Sequence, residues 1–155
     1  ARLHEEGLVR NVGVSNFSVY QLRFARRISD VPIAVNQVEQ HPWWPQADLR
    51  AYCDRHDVAV TAAAPLARTA VLADETVREV AAAYDRTPAQ VVLRWQLQHG
   101  LATVPKSSSP EHLRENLAVT DWELAAEDVA RLDAIEERET VYSLDLEDET
   151  YGIPR

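Results

Sequence analysis

The run Thr103-Val104-Pro105-Lys106-Ser107-Ser108-Ser109-Pro110-Glu111 collects groups that hold an anion: an ammonium, a cluster of hydroxyls and the start of a helix. Ser109 is placed to act as N-cap, Pro110 suits the first helical position, and Glu111 meets the positive end of the helix dipole. Backbone N–H groups at such a start, with Lys106 and Ser107 beside them, bind phosphate above other anions. Lys106 is the only lysine in the chain; every other cationic side chain is an arginine. A capped helix carrying one surface lysine would show the same residues, so the place of the motif in the chain decides its meaning.

Polar groups stand behind apolar runs elsewhere too. Ser15-Asn16 follows Val9–Val14, and Gln37, Glu39 and His41 stand at and after the end of Ile33–Val38. The histidines and Cys53 lack metal-ligand spacing, and no Ser-His-Asp grouping can be assembled. These residues therefore offer no metal site and no hydrolytic triad. His41, beside Pro42, suits capping or packing. Trp43 and Trp44 are placed either to wall a substrate pocket or to pack a loop.

These groups need elements to position them. The apolar runs Val9–Val14, Ile33–Val38, Val58–Ala63 and Leu101–Val104 read as short buried strands. Between them the pattern predicts helices from Ser18 to Arg27, Ala47 to His56, Glu75 to Tyr84, and from the Thr87-Pro88 cap to Gln98, closed by Gly100. A helix over 111–117 and another over 126–137 follow. Ala1 to Gly7 reads as a last helical turn with a C-cap glycine, as though the chain starts inside a larger fold. The acidic stretch from Asp145 to Arg155 reads as loop, dividing the chain into a folded region 1–137 and a tail 138–155.

Strands alternating with helices imply a parallel sheet with right-handed crossovers, either an open doubly wound sheet or a (β/α)8 barrel. No G-x-G-x-x-G follows any strand, so the Rossmann fingerprint is absent. Polar residues after all the strands, with a phosphate-type turn after the last, match the functional face of a barrel. A full barrel takes about 250 residues, so 155 residues supply roughly half of one. Hydrophobic residues make up 46% and charged residues 26%, as in ordinary globular proteins. A formal charge of −9 disfavours nucleic acid and anionic membrane surfaces as partners. One cysteine excludes an internal disulfide, no apolar run reaches membrane-span length, and no signal-peptide pattern is present, which together point to the cytoplasm.

The chain resembles the C-terminal half of an aldo-keto reductase, barrel strands five to eight. The resemblance rests on ordered blocks at family spacing: Gly7-Leu8-Val9-Arg10 with Gly13-Val14-Ser15-Asn16-Phe17; Asn36-Gln37-Val38-Glu39 with His41-Pro42; Pro65-Leu66; Thr87-Pro88-Ala89-Gln90 with Leu93-Arg94-Trp95; and Pro105-Lys106-Ser107 with Glu115-Asn116. It implies a bound NADP(H). Ser15, Asn16 and Gln37 would hydrogen-bond the nicotinamide carboxamide, which needs both donors and acceptors. As a mid-strand amide, Gln37 is expected to be buried with partners. Lys106 and Ser107 would meet the adenosine 2′-phosphate and pyrophosphate region, Glu115 and Asn116 the adenine or ribose, and Leu66 and Arg68 would lie where a loop folds over the pyrophosphate.

Two positions depart from the family pattern. Ala63 stands where a tyrosine usually stacks on the nicotinamide ring, which removes an aromatic face. His112 stands where an arginine usually meets the 2′-phosphate; an imidazole lacks the bidentate fork and is mostly neutral near physiological pH. NAD(H) is therefore admissible beside NADP(H). The family's catalytic Asp, Tyr, Lys and His belong to the other half of the barrel. The resemblance thus implies the cofactor-binding half of a reductase of aldehydes and ketones, inactive as an isolated chain, with a small carbonyl substrate in the complete barrel. The alternative is a non-catalytic half-barrel that binds nucleotide, associates with itself or pairs with a separate N-terminal half, since open strand edges invite pairing. A phosphate-sugar barrel enzyme shares the phosphate turn but does not require Ser15, Asn16 or Gln37.

Overall fold

The computed structural model describes residues 1–142; the expected acidic loop from Asp145 to Arg155 lies outside them. In chain order the elements are α1 (Arg2–Glu5), β1 (Val12–Ser15), α2 (Val19–Ile28), β2 (Ile33–Glu39), α3 (Ala47–Asp54) and β3 (Ala59–Ala63). A broken 3-10 segment (Ala67–Ala73), α4 (Glu75–Ala83), α5 (Pro88–Gln98), β4 (Ala102–Thr103), α6 (Pro110–Leu117) and α7 (Ala126–Asp133) follow. The strands form one sheet in the order β1-β2-β3-β4, and β1 runs parallel to β2. Among the described residues no helix is long and apolar enough to cross a membrane.

Local chemistry sets the helix starts. Ser18 and Thr87 each accept from the backbone N–H of the third helical residue, and Gln21 and Gln90 reach back to the caps, closing two capping boxes. Asp74, unremarked in the sequence, caps α4 by accepting from Val77 N at 3.2 Å. Ser109 caps α6 with Pro110 at its first position, as the residue types dictate. The last helix stops at Asp133 and not at Glu137, because Glu136 and Glu137 would bring anions to the negative end of the dipole.

The strands are shorter and less covered than their apolar composition predicts. β1 begins at Val12 and alternates between half-buried and exposed residues, because among the described residues it is an end strand paired only with β2. Gly13 is needed in it: a Cβ there would lie 2.3 Å from Val35 Cγ1 and 3.1 Å from the Val35 carbonyl oxygen. β4 shrinks to two residues.

The chain forms two compact units, one built from Ala1–Val38 and Gln46–Thr61, the other from Glu39–Pro45 and Ala62–Val141. In the first, α2 packs on α3, and Leu22, Val38, Tyr52, Cys53 and Val60 are buried. In the second, Val71, Val77, Val80, Val91, Val92, Trp95 and Leu132 make the core. Two buried-side donors fix α5 there: the Trp95 indole donates to Asp133 Oδ1 at 2.9 Å, and the Arg94 guanidinium donates to the Val119 carbonyl at 3.1 Å.

Candidate functional site

In the first unit the register of β1 on β2 pairs Ser15 with Gln37. Register partners share a face of the sheet, so the hydroxyl and the carboxamide stand side by side, both exposed. Ser15 Oγ donates to the Gln37 carbonyl at 3.0 Å, and Asn16 N donates to the same oxygen at 2.9 Å. Asn16 takes a left-handed conformation, φ 57°, which Asn tolerates better than most residues. Among the described residues neither the Asn16 nor the Gln37 side chain has a hydrogen-bond partner.

The buried amide expected at Gln37 is in fact Asn36. Strand alternation puts Asn36 on the covered face with Val38 and leaves Gln37 on the open one. Asn36 Nδ2 donates to the Phe17 carbonyl at 2.8 Å, and its Oδ1 accepts from Phe17 N at 3.3 Å. A fully buried side chain therefore holds the turn that carries Ser15 and Asn16. Its signal in the sequence is a polar residue in step with Val38.

In the second unit β4 delivers the chain to Lys106, which is exposed, and to Ser107, which is half-buried. Ser107 Oγ accepts from Ser109 N at 3.1 Å, and Ser109 Oγ accepts from His112 N at 3.4 Å. The turn thus brings Lys106, Ser107 and the exposed His112 to the start of α6. Glu115 and Asn116 lie further along α6, half-buried, away from that start. Gln90 Nε2 donates to the Glu115 and Ala118 carbonyls at 3.2 and 3.3 Å and so pins the far end of α6 to α5.

Leu66 packs half-buried against the second core, while Arg68 is exposed in the same loop. That loop runs through four left-handed residues, Ala64, Ala67, Arg68 and Thr69, with Thr69 at φ 84°. Positive φ in a β-branched residue is strained. Ala63 ends β3 half-buried, its carbonyl accepting from Gln40 N at 3.2 Å.

One buried group, Gln96, was not singled out by the sequence. Inside α5, it bonds three separate segments and is treated below. Glu39, 2% exposed, accepts from His41 Nε2 at 2.8 Å, Thr140 Oγ1 at 2.6 Å and Val141 N at 2.7 Å. Burial pushes the Glu39 carboxyl up, but the hydrogen bonds from His41, Thr140 and Val141 outweigh it and leave the group below the usual glutamate range. His41 is fully buried in this cluster, in keeping with a packing role. Trp43 donates to Asp74 Oδ2 at 2.8 Å and packs on the core, so of its two readings the structure supports loop packing. Burial raises the Cys53 thiol to about 11, which makes it a poor nucleophile. Among the described residues no group of His, Cys, Asp and Glu could hold a metal ion.

Taken together, these are a hydroxyl and a carboxamide on one face with a second carboxamide in the turn beside them in the first unit, and an ammonium, a hydroxyl and a helix start in the second. The aldo/keto reductase family model matches residues 1–137. The chain belongs to the aldo/keto reductase family. It is 44% identical over 133 residues to the 2,5-diketo-D-gluconic acid reductase B of a Corynebacterium strain, covering 85% of this chain and 48% of that protein. It is 38% identical over 140 residues to the glyoxal reductase of Bacillus subtilis, covering 90% of this chain and 51% of that protein. The solved aldose reductase of Schistosoma japonicum superposes with a TM-score of 0.87 at 35% identity, over 92% of this chain and 47% of that one. The chain therefore spans about half the length of the aldo-keto reductases it matches, and its four strands with alternating helices are half of their TIM barrel.

Proposed function

We propose that this chain supplies the nicotinamide-dinucleotide grip of an NAD(P)H-dependent aldo-keto reductase that converts aldehydes and ketones to alcohols. The observation that carries the reading is the pairing of Ser15 with Gln37, with Asn16 held on the Gln37 carbonyl. It leaves two carboxamides without internal partners, and a primary carboxamide is the group they match, donor to acceptor and acceptor to donor. Lys106, Ser107 and the start of α6 suit the adenosine phosphates, with His112 beside them. Glu115 and Asn116 take the adenine or ribose end, and Leu66 and Arg68 flank the pyrophosphate. When bound, the cofactor supplies the hydride.

The chain's own residues bind and orient; none is assigned proton transfer. His41 is buried against Glu39, and Lys106 belongs to the phosphate turn. Relatives named for reducing glyoxal and a diketo acid support a small carbonyl substrate for the whole enzyme. The single buried thiol suits a reducing, cytoplasmic compartment. The region 1–137 is the binding domain in this reading, and 138–155 is its tail.

Fluorescence titration of the 155-residue protein with NADPH, NADH and ribose 5-phosphate tests the reading. Saturable binding of a dinucleotide, tighter than the sugar phosphate and without carbonyl turnover, is expected. Preferential binding of the sugar phosphate would replace the reading with that of a phosphate-sugar barrel. Rapid carbonyl reduction by this chain alone would refute its assignment as a grip without catalytic residues.

A second reading, association with a copy of itself or with a separate half-barrel, is favoured by where apolar surface is exposed. In the first unit Leu3, Leu8, Val9, Tyr20, Phe24 and Ile28 are exposed, all on α1, α2 and the chain between α1 and β1. In the second unit Val104, Leu113 and Leu117 are exposed, following β4 and on α6. In the chain these elements flank β1 and β4, the two end strands of the sheet among the described residues.

A further inference from the structure

We propose that Gln96 is the positioning residue for the phosphate end of the nucleotide site; the inference rests on the dinucleotide reading above. Gln96 sits in α5 and is fully buried, although its neighbours on the helix are core residues such as Val92 and Trp95. Both of its amide hydrogens are used: Nε2 donates to the Gln40 carbonyl at 2.9 Å and to the Pro65 carbonyl at 3.0 Å. Its Oε1 accepts from Thr103 Oγ1 at 2.7 Å.

Each partner stands at the C-terminal end of a different strand. Gln40 follows β2, Pro65 follows β3 and leads to Leu66 and Arg68, and Thr103 ends β4 just ahead of Lys106. Backbone carbonyls at strand ends have lost their ladder partners, and Gln96 satisfies two of them from the side of the helix. One amide thereby fixes the take-off points of the Arg68 loop and the Lys106 turn relative to each other. An apolar side chain of equal size would fill the space and leave those carbonyls and the Thr103 hydroxyl without it. Gln96 touches neither cofactor nor substrate in this assignment; it acts through the loops.

The experiment uses adenosine 2′,5′-bisphosphate, which probes the phosphate end alone, by calorimetric titration of the full chain and its variants. Circular dichroism and the cooperativity of thermal melting show which variants fold. Wild type is expected to bind, and Gln96→Met to bind at least tenfold more weakly while folded. Gln96→Glu keeps the acceptor for Thr103 but faces two carbonyls without a donor until it is protonated. Its affinity, taken as a ratio to wild type at each pH, should recover as the solution is acidified, which a purely structural defect would not do. The ratio cancels every pH effect that variant and wild type share. Should Gln96→Met fail to fold, Thr103→Val removes one bond at the rim and is expected to weaken the bisphosphate several-fold. Wild type that ignores the bisphosphate would overturn the dinucleotide reading itself. Wild type that binds, with a folded Gln96→Met or Thr103→Val binding equally well, would overturn the role of Gln96 alone.

Discussion

A lone ammonium on a surface loop gains little from a distant charge, because water and salt screen it. Lys106 differs through its neighbours: the Ser107 and Ser109 hydroxyls, each accepting from a backbone N–H and keeping its own proton to donate, stand with it at the opening turn of α6. Charge-assisted contacts of that kind contribute about 1.5–3 kcal/mol each. Lys106→Ala should therefore weaken NADPH by about tenfold to about a hundredfold, and NADH by less, since NADH lacks the 2′-phosphate. Equal NADPH affinity for variant and wild type by fluorescence titration would remove Lys106 from the site. The phosphate turn was legible in the sequence because cap, proline and lysine are adjacent in the chain. The amide pair in β2 was legible only in part: two neighbouring amides point to opposite faces, and composition does not say which face is covered. Asn36 won the buried place, and Gln37 stands exposed. Arg68 could be named from the resemblance, but not the left-handed backbone that carries it, since nothing in Ala-Arg-Thr demands positive φ.

Elements are held at their ends, and the end of β2 shows how. Glu39 closes the strand and binds Thr140, 101 residues later in the chain. No local pattern announces a contact of that separation, whereas the capping boxes of α2 and α5 can be read from four consecutive residues. The carboxylate keeps its charge in a buried place because three donors converge on it. Its lowered pKa fixes the sign of the pH effect. A carboxyl more acidic in the folded than in the unfolded chain contributes stability that is complete above the unfolded value. That contribution is lost as the pH falls through the folded value. Acidification below about pH 4, the ordinary glutamate range, should loosen the clasp between Glu39 and the segment at Thr140–Val141. At neutral pH, Glu39→Gln should cost about 1.5–3 kcal/mol, the worth of charged hydrogen bonds, in urea unfolding. The gap between variant and wild type should narrow in acid. A gap that stays constant from neutral to acidic pH would show that the charge of Glu39 contributes nothing.

At the scale of the molecule, a sheet with two end strands has two unpaired rows of backbone groups, and proteins normally cover or charge such edges. Here, among the described residues, the elements that flank the end strands β1 and β4 in the chain carry exposed apolar side chains. Tyr20, Phe24 and Ile28 recur every fourth residue and so line one face of α2, with Ile28 67% exposed. Leu113 and Leu117 repeat the pattern on α6, with Leu117 77% exposed. The net charge of −9 opposes meeting a second copy, and that repulsion is screened by salt while apolar burial is not. Association through these faces should therefore strengthen as ionic strength rises, the reverse of a contact held by ion pairs. Sedimentation equilibrium across a salt series is expected to show a growing associated fraction at high salt. The double substitution Phe24→Asp with Ile28→Asp should return the chain to monomer. Because both side chains are exposed in the single chain, the substitutions should leave its melting temperature within a few degrees of wild type, as surface changes do. A monomer at every salt concentration would exclude a second copy from these faces and leave a separate half-barrel as their fitting partner.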